Sequence, residues 1–435
     1  MRLSELAINL TSMIKYHQKA EELDMADSMS NIRERFSNED NLVYLDGNSL
    51  GKLPRMAYRM SSDIMRKQWG RNLIRSWNDH WLDLDKRLAS KIAQIVGAYP
   101  DEIFVGDTTS LNLFKLVFAS LKIQTDRKVL LTDSINFPTD HYILQGMVRQ
   151  HFQNHELKII PSQDGMSVQE SDIDHLLDRS VAMLTLSHVN YKSSFMYDMA
   201  KINKKAKECG ALMIWDLSHS VGAIPIDLSV SKTDMAVGCT YKFLNGGPGS
   251  PAFLYVNRKL QAKLENPIQS WFSHAKPFDF DEKYIPSEGI SKFAISTPSI
   301  LSLSAIEPGL DITLEAGLRT IRKKSLKQSE FLIEMIRSEL HPIGFQLASP
   351  AESTQRGSHV SIRHEEAYRI NKALIEPVEK RTIFIPDFRP PDNIRIGITP
   401  LYLKFTELVQ TIERIKEIVE NNEYLNYSNE KTGVT

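Results

Sequence analysis

Between residues 103 and 256 the chain alternates short apolar runs with amphipathic segments, and this alternation limits the fold more than any other feature. Runs fall at Ile103–Val105, Lys128–Leu131, Val181–Leu186, Leu212–Trp215, Met235–Gly238 and Ala252–Tyr255. The intervening stretches 110–120, 138–150, 168–177 and 198–209 carry apolar residues at helical spacing. Runs bounded on both sides by helices predict a mostly parallel sheet buried on both faces, hence an α/β fold class.

The flanks read differently. Residues 3–28 predict one or two helices, Leu42–Asp46 a short strand, and Gly47–Gly51 a turn. Pro54 suits the first turn of a helix reaching about Trp69, and Trp81 to Val96 form one apolar face closed by Gly97. The segment from Ile300 to Leu340 predicts helix, with a kink or break at Pro308. Beyond Pro342, strand-like pieces at Phe345–Leu347, His359–Ile362 and Ile394–Ile396 alternate with helices near 365–374 and 404–421. This shift marks a smaller α+β domain. The division expected is 1–50 as an N-terminal helical segment joining the small domain, 51–310 as the large domain and 311–435 as the small one. The polar tail from Asn422 to Thr435 is expected to fray.

A formal charge of -1 gives no global attraction to nucleic acid or anionic membrane. The N-terminus lacks the apolar block of a signal peptide, and no stretch approaches the ~20 apolar residues of a membrane span. The two cysteines, Cys209 and Cys239, have no metal-type spacing and build no disulfide framework. A soluble, cytoplasmic protein without a metal site is the expectation.

Chemistry concentrates between Leu212 and Pro248. One apolar run ends on Asp216, with His219 in the following turn; a second leads to Tyr241 and Lys242 before a glycine-rich loop. A carboxylate and a lysine at two strand ends are what a pyridoxal-phosphate (PLP) site needs, the first for the pyridinium nitrogen and the second for the Schiff base. Asp216 could equally cap the turn behind it, and His219 could serve a buried polar contact. Gly106–Ser110, between a strand and a helix, offers amides and hydroxyls to a phosphate, or merely caps that helix. Asn136–Asp140 places Phe137 where a ring could stack on a flat cofactor or pack in the core. Arg395 suits a carboxylate grip or a structural ion pair.

Longer motifs carry a family resemblance. They include YLDGNSLGKLP at Tyr44–Pro54, WGRNLIRSWNDHWLDL at Trp69–Leu84, VGDTTSLNLFKL at Val105–Leu116 and NFPTDHYILQG at Asn136–Gly146. WFSHAKPF at Trp271–Phe278, STPSILSLSAIEPGLDI at Ser296–Ile312, RGSHVSIRH at Arg356–His364 and FIPDFRPPDNIRIGITPLY at Phe384–Tyr402 continue the series. With the stretch around Asp216 and Lys242, they resemble the kynureninase family of fold-type-I PLP hydrolases, in order from about residue 40 to 405.

The resemblance implies a seven-stranded-type sheet, PLP as cofactor and a homodimer with its active site at the subunit interface. It implies cleavage of L-kynurenine, or 3-hydroxykynurenine, to anthranilate or 3-hydroxyanthranilate and L-alanine. Lys242 would be the Schiff-base lysine, Tyr241 a phosphate contact and proton carrier, and Asp216 the partner of the pyridinium nitrogen, with His219 beside it. Thr109 and Ser110 resemble the phosphate pair and Phe137 the ring stacker. Pro138, Thr139, Asp140 and Ser187 match further cofactor positions. Trp271 and Thr297 match positions that reach in from the neighbouring subunit. Arg395 matches the binder of the substrate α-carboxylate, with Ser49 in a loop near the substrate. Lys192-Ser193-Ser194, Phe243, Ser273 and Ile398 depart from common family residues without removing a group the chemistry requires. On the same scaffold an aminotransferase or cysteine desulfurase is the alternative, and a catalytically dead binding subunit is a third reading.

Overall fold

The computed structural model describes residues 3–378 and 381–431. Helix α1 (Leu3–Met25) leads through a 3-10 turn to strand β1 (Leu42–Tyr44) and helices α2 (Arg55–Asp63) and α3 (Leu84–Val96). Gly97 ends α3 at φ +63°, the left-handed C-cap expected for it. The alternating region then gives β2 (Ile103–Val105), α4 (Thr109–Ile123), β3 (Val129–Asp133), α5 (Pro138–Gly146) and β4 (Glu156–Ile160). It continues with α6 (Glu170–Leu176), β5 (Val181–Ser187), α7 (Met199–Cys209), β6 (Leu212–Asp216), β7 (Met235–Gly238) and β8 (Phe253–Val256).

These strands form one seven-stranded sheet in the order β2-β8-β7-β6-β5-β3-β4. Strands β4, β3, β5, β6 and β7 run parallel, while β8 pairs antiparallel with both β7 and β2. Every residue of β5, β6 and β7 is buried. Each large apolar side chain there contributes about 1.5–3 kcal/mol, so the strand ends that carry Asp216 and lead to Lys242 rest on a firmly held layer. The chain leaves β3 for β4 on one side and returns to β5 on the other. That reversal opens a crevice at the carboxyl ends of β3 and β5. Strand β4 has no counterpart among the predicted runs because its residues are half-exposed at the sheet edge.

After the short helix α8 (Arg258–Gln261) come α9 (Ile300–Ala316) and α10 (Leu318–Met335). Helix α9 runs through buried Pro308 without the break expected there, and ends at Gly317, φ +74°. Strands β9 (Gln346–Leu347), β10 (His359–Arg363), β12 (Asp387–Arg389) and β13 (Asn393–Gly397) make a second, antiparallel sheet, while β11 (Ile383–Ile385) pairs parallel with β1. Helix α11 (Ala367–Ile375) packs on β12 and β13, and α12 (Phe405–Glu420) packs on α11, α10 and α1. Ala20, Val43 and Leu45 share its apolar cluster with Phe331, Ile396 and Ile412. The tail to residue 431 is held rather than frayed, with Tyr368 Oη donating to Glu430 O at 2.8 Å and Arg369 Nε to Tyr427 O at 2.8 Å. The remaining tail residues, 432–435, lie outside the described residues. No described helix is long and apolar enough to cross a membrane.

Candidate active site

Lys242 stands four residues beyond the end of β7, in a loop closed by Gly246 N donating to Thr240 O and Asn245 N to Lys242 O, both at 2.9 Å. Helix α9 lies against this loop at Gly309, where a Cβ would stand 2.0 Å from Leu244 O, so no larger residue fits. Gly51 N donates to Tyr241 O at 2.7 Å, tying the Gly47–Gly51 turn to the same loop.

The Lys242 side chain is 9% exposed, and its Nζ lies 2.9 Å from His219 Nε2. Nζ stands 5.9 Å from the centroid of the Phe137 ring and 5.7 Å from that of the Tyr241 ring. Asp216 ends β6 beside Ser187, its register partner on β5. Its Oδ1 accepts from Ser218 N at 2.8 Å and Ser218 Oγ at 2.6 Å, while no described donor reaches Oδ2. Asp216 therefore caps the turn with one oxygen and keeps the other for a ligand. Burial raises its carboxyl above the usual range, against the opposing pull of Ser218 and Lys242. Burial, then the Lys242 and Arg395 charges, hold His219 well below its usual value, so the imidazole is neutral, and its Nδ1 has no partner.

The crevice at β3 supplies the next wall. Asn136 Oδ1 accepts from Ser187 Oγ at 2.6 Å and from Phe137 N at 2.8 Å, fixing the turn that carries Phe137. Phe137 is 39% exposed and meets Tyr191 edge-on, centroids 5.2 Å apart. Pro138 opens α5 with Thr139 and Asp140 in its first turn. Asp140 is buried, its Oδ2 is unpaired, and burial followed by the Asp216 charge raises its carboxyl well above the usual range. Thr108, not Thr109, caps α4, accepting from Leu111 N at 3.2 Å, which leaves Thr109 and Ser110 in the first turn. Bonds of 2.9 Å from Gly106 N to Ala252 O and from Ala252 N to Asp107 O hold this helix start beside the lysine loop.

The orphaned buried atoms, Asp140 Oδ2 and His219 Nδ1, together with the open Asp216 Oδ2, call for a polar ligand. Free amides at the α4 start suit an anion, and the Phe137 ring a flat group. The set fits PLP.

Arg395 approaches from β13. It is 1% exposed and donates from Nε to Asp387 Oδ2 at 2.6 Å, from Nη2 to the same oxygen and to Ser49 Oγ at 2.7 Å, and from Nη1 to Tyr191 O. Both readings of this arginine therefore meet in one place: it has a structural carboxylate partner and faces the turn carrying Ser49. Trp271 and Thr297 are not brought to Lys242 within the chain. Trp271 packs on Phe272 and Phe280, and Thr297 lines a cavity with Thr108 and Phe272.

Asp387, Arg389, Ser218 and His359 escaped the reading of the sequence, as did the bonding role of Asn136 within its named segment. Register alone reveals Asp387, which stands opposite Arg395 across β12 and β13. The Asx-type spacing of Asp216 and Ser218 was a usable signal. His359, fully buried, lies 5.8 Å from the His219 ring.

Asp46 lies 3.9 Å from Arg395, and burial, then the Asp387 charge, push its carboxyl up to about 7 despite Arg395. The folded state thus favours protonated Asp46, a contribution complete below the unfolded value near 3.8 and lost as pH rises through about 7. Asp46→Asn is expected to stabilise the protein at pH 8 by on the order of 3 kcal/mol and to be neutral at pH 4. Thermal unfolding at the two pH values measures this, and a gain that grew on acidification would contradict it.

The kynureninase C-terminal domain matches residues 321–415. A kynureninase of Pseudomonas fluorescens is 40% identical over 403 residues, covering 92% of this chain and 94% of its own. One from Burkholderia mallei is 38% identical over 412 residues, covering 94% and 96%.

The chain belongs to the kynureninase family.

Solved structures share the fold at lower identity. A cysteine desulfurase of Thermococcus onnurineus superposes with a TM-score of 0.76 at 16% identity, over 90% of this chain and 98% of its own. A C-DES mutant with glycine covalently linked to its PLP cofactor gives 0.75 at 16% identity, over 88% and 99%. The cysteines separate this kynureninase-family chain from a desulfurase chemistry. Cys239 is buried, with its thiol pushed up by burial, and Cys209 ends α7 with Sγ donating to Leu177 O at 3.3 Å. Neither lies on an open loop.

Proposed function

We propose that the protein holds PLP at Lys242 and hydrolyses the Cβ–Cγ bond of L-kynurenine, giving anthranilate and L-alanine. The observation that carries this is the joining of Lys242, His219, Asp216 and Phe137 in one crevice faced by Arg395, in a chain of the kynureninase family. 3-Hydroxykynurenine is a second substrate on this reading, and the activity serves tryptophan catabolism or NAD biosynthesis in the cytoplasm.

PLP supplies, when bound, an electron sink for negative charge developing on the substrate carbons. Arg395 grips the α-carboxylate, with Ser49 beside it. Lys242 takes the proton from Cα, with His219 Nε2 2.9 Å from its Nζ. Asp216 holds a proton at the ring nitrogen through Oδ2. Water adds to the γ-carbonyl, and Tyr241 hands a proton to Cβ as the bond breaks. Its phenol suits that role, because burial, Cys239 and Asp216 all raise it and keep it protonated. Tyr241→Phe is therefore expected to lower kcat by about 10²–10³-fold with KM nearly unchanged. Steady-state kinetics check this, and an unaltered kcat would remove Tyr241 from the proton path.

We propose further that 51–310 and 311–435 act as large and small domains, with 1–50 serving the small one. Shared burial of Ala20, Val43 and Leu45 with the C-terminal cluster supports this. A homodimer completes the site through the partner copy's equivalents of Trp271 and Thr297. Support comes from the exposed rings of Trp271, Phe278 and Phe280 and the cavity of about 910 Å³ at Thr297.

Purified protein with PLP and L-kynurenine, and no keto acid, is expected to develop anthranilate fluorescence. Turnover only with a keto-acid acceptor would favour an aminotransferase, and no turnover would overturn the substrate.

A further inference from the structure

Helix α4 carries one ionic side chain in its interior. Lys115 has no exposed surface, although its neighbours Leu113, Leu116 and Val117 show that apolar residues fill this layer. Packing does not require a charge there, and an unpaired ammonium would be costly. The charge is met by Asp107, to which Nζ donates, by Phe293 O at 2.7 Å and by Asn112 Oδ1 at 3.3 Å, with the Phe104 ring 5.0 Å away. Asn112 in turn donates from Nδ2 to Gly106 O at 2.9 Å.

The bonds from Lys115 to Asp107 and from Asn112 to Gly106 O converge on the turn before Thr109 and Ser110. Asp107 sits in that turn at φ +57°, a left-handed conformation that a non-glycine residue holds only when its surroundings fix it. Its carboxylate is only two residues from Thr109. An uncompensated negative charge there would repel a phosphate at the helix start, where the amides alone would attract one.

We propose that Lys115 is a positioning residue for the cofactor phosphate: it neutralises Asp107 and pins the Gly106–Thr108 turn so that the start of α4 can receive a dianion. The inference rests on the reading of Thr109 and Ser110 as the phosphate seat. The bond to Phe293 O adds a second tie, holding the segment that runs on to Thr297 against the same turn.

The test compares PLP with pyridoxal, which lacks the phosphate, by absorbance titration of the apoprotein. Lys115→Met is expected to weaken PLP binding at least about 30-fold and pyridoxal binding by less than about threefold. Removing both charges in Lys115→Met with Asp107→Asn is expected to restore at least about tenfold of the PLP affinity. Asparagine also tolerates the left-handed turn. Equal losses for both ligands, no loss, or no recovery in the double variant would overturn the proposal. Should Lys115→Met fail to fold, Lys115→Gln and the double variant carry the same comparison. A wild-type protein that binds both ligands equally would remove the phosphate seat itself, a failure distinct from any shown by the variants. Failure of the wild type to bind PLP at all would overturn the cofactor reading beneath it.

Discussion

Lys242→Ala is expected to lower kcat at least about 10⁴-fold and to abolish the visible absorbance of lysine-bound cofactor. The size follows from two losses at one atom. Nζ is the group that holds the cofactor covalently, and it is also the base aimed at Cα, with His219 Nε2 2.9 Å away as its neutral neighbour. Folding should suffer far less. The side chain is 9% exposed and makes one hydrogen bond, so about 1–2 kcal/mol is at stake. Absorbance spectra and single-turnover rates on the purified variant measure both effects. A binding subunit without catalysis would show no visible band to lose.

Arg395→Met is the second large effect. Loss of a charge-assisted hydrogen bond to the substrate carboxylate at this buried arginine should lower kcat/KM for L-kynurenine about 10²-fold or more. Stability falls too, because Asp387 loses its nearest cation. Arg389 Nε remains 3.1 Å from Asp387 Oδ2, which limits that cost to about 3 kcal/mol or less. The two consequences separate cleanly with the decarboxylated amine of kynurenine. Wild type and variant should process that analogue equally poorly, since it offers Arg395 nothing to hold. An equal loss of rate on both substrates would make Arg395 structural only.

The large sheet was legible because β3, β5, β6 and β7 are apolar on both faces, so hydrophobicity alone marks them. Strand β4 was not, being half-exposed at an edge where its pattern resembles a loop. Pro308 misled for a local reason: proline costs a helix one bond, but α9 is buried along Leu303, Ile306 and Leu310, and tertiary packing outweighs that loss. Of the site, Asp216, His219 and Lys242 could be read because each lies at the end of an apolar strand or within four residues of one. Asp387 could not, since its meaning depends on lying opposite Arg395 across a register that no local pattern reveals. Trp271 and Thr297 illustrate a different limit. Within one chain they do not meet Lys242, and the role proposed for them requires a second copy.

Hydrolytic cleavage between Cβ and Cγ places an oxygen from water in the aromatic product. Turnover of L-kynurenine in ¹⁸O-labelled water tests it most directly by mass spectrometry of the products. Anthranilate and alanine are expected in equal amounts, with one ¹⁸O in the anthranilate carboxylate and none in alanine. Unlabelled anthranilate, or an aromatic product that retains all of its side-chain carbons, would contradict it.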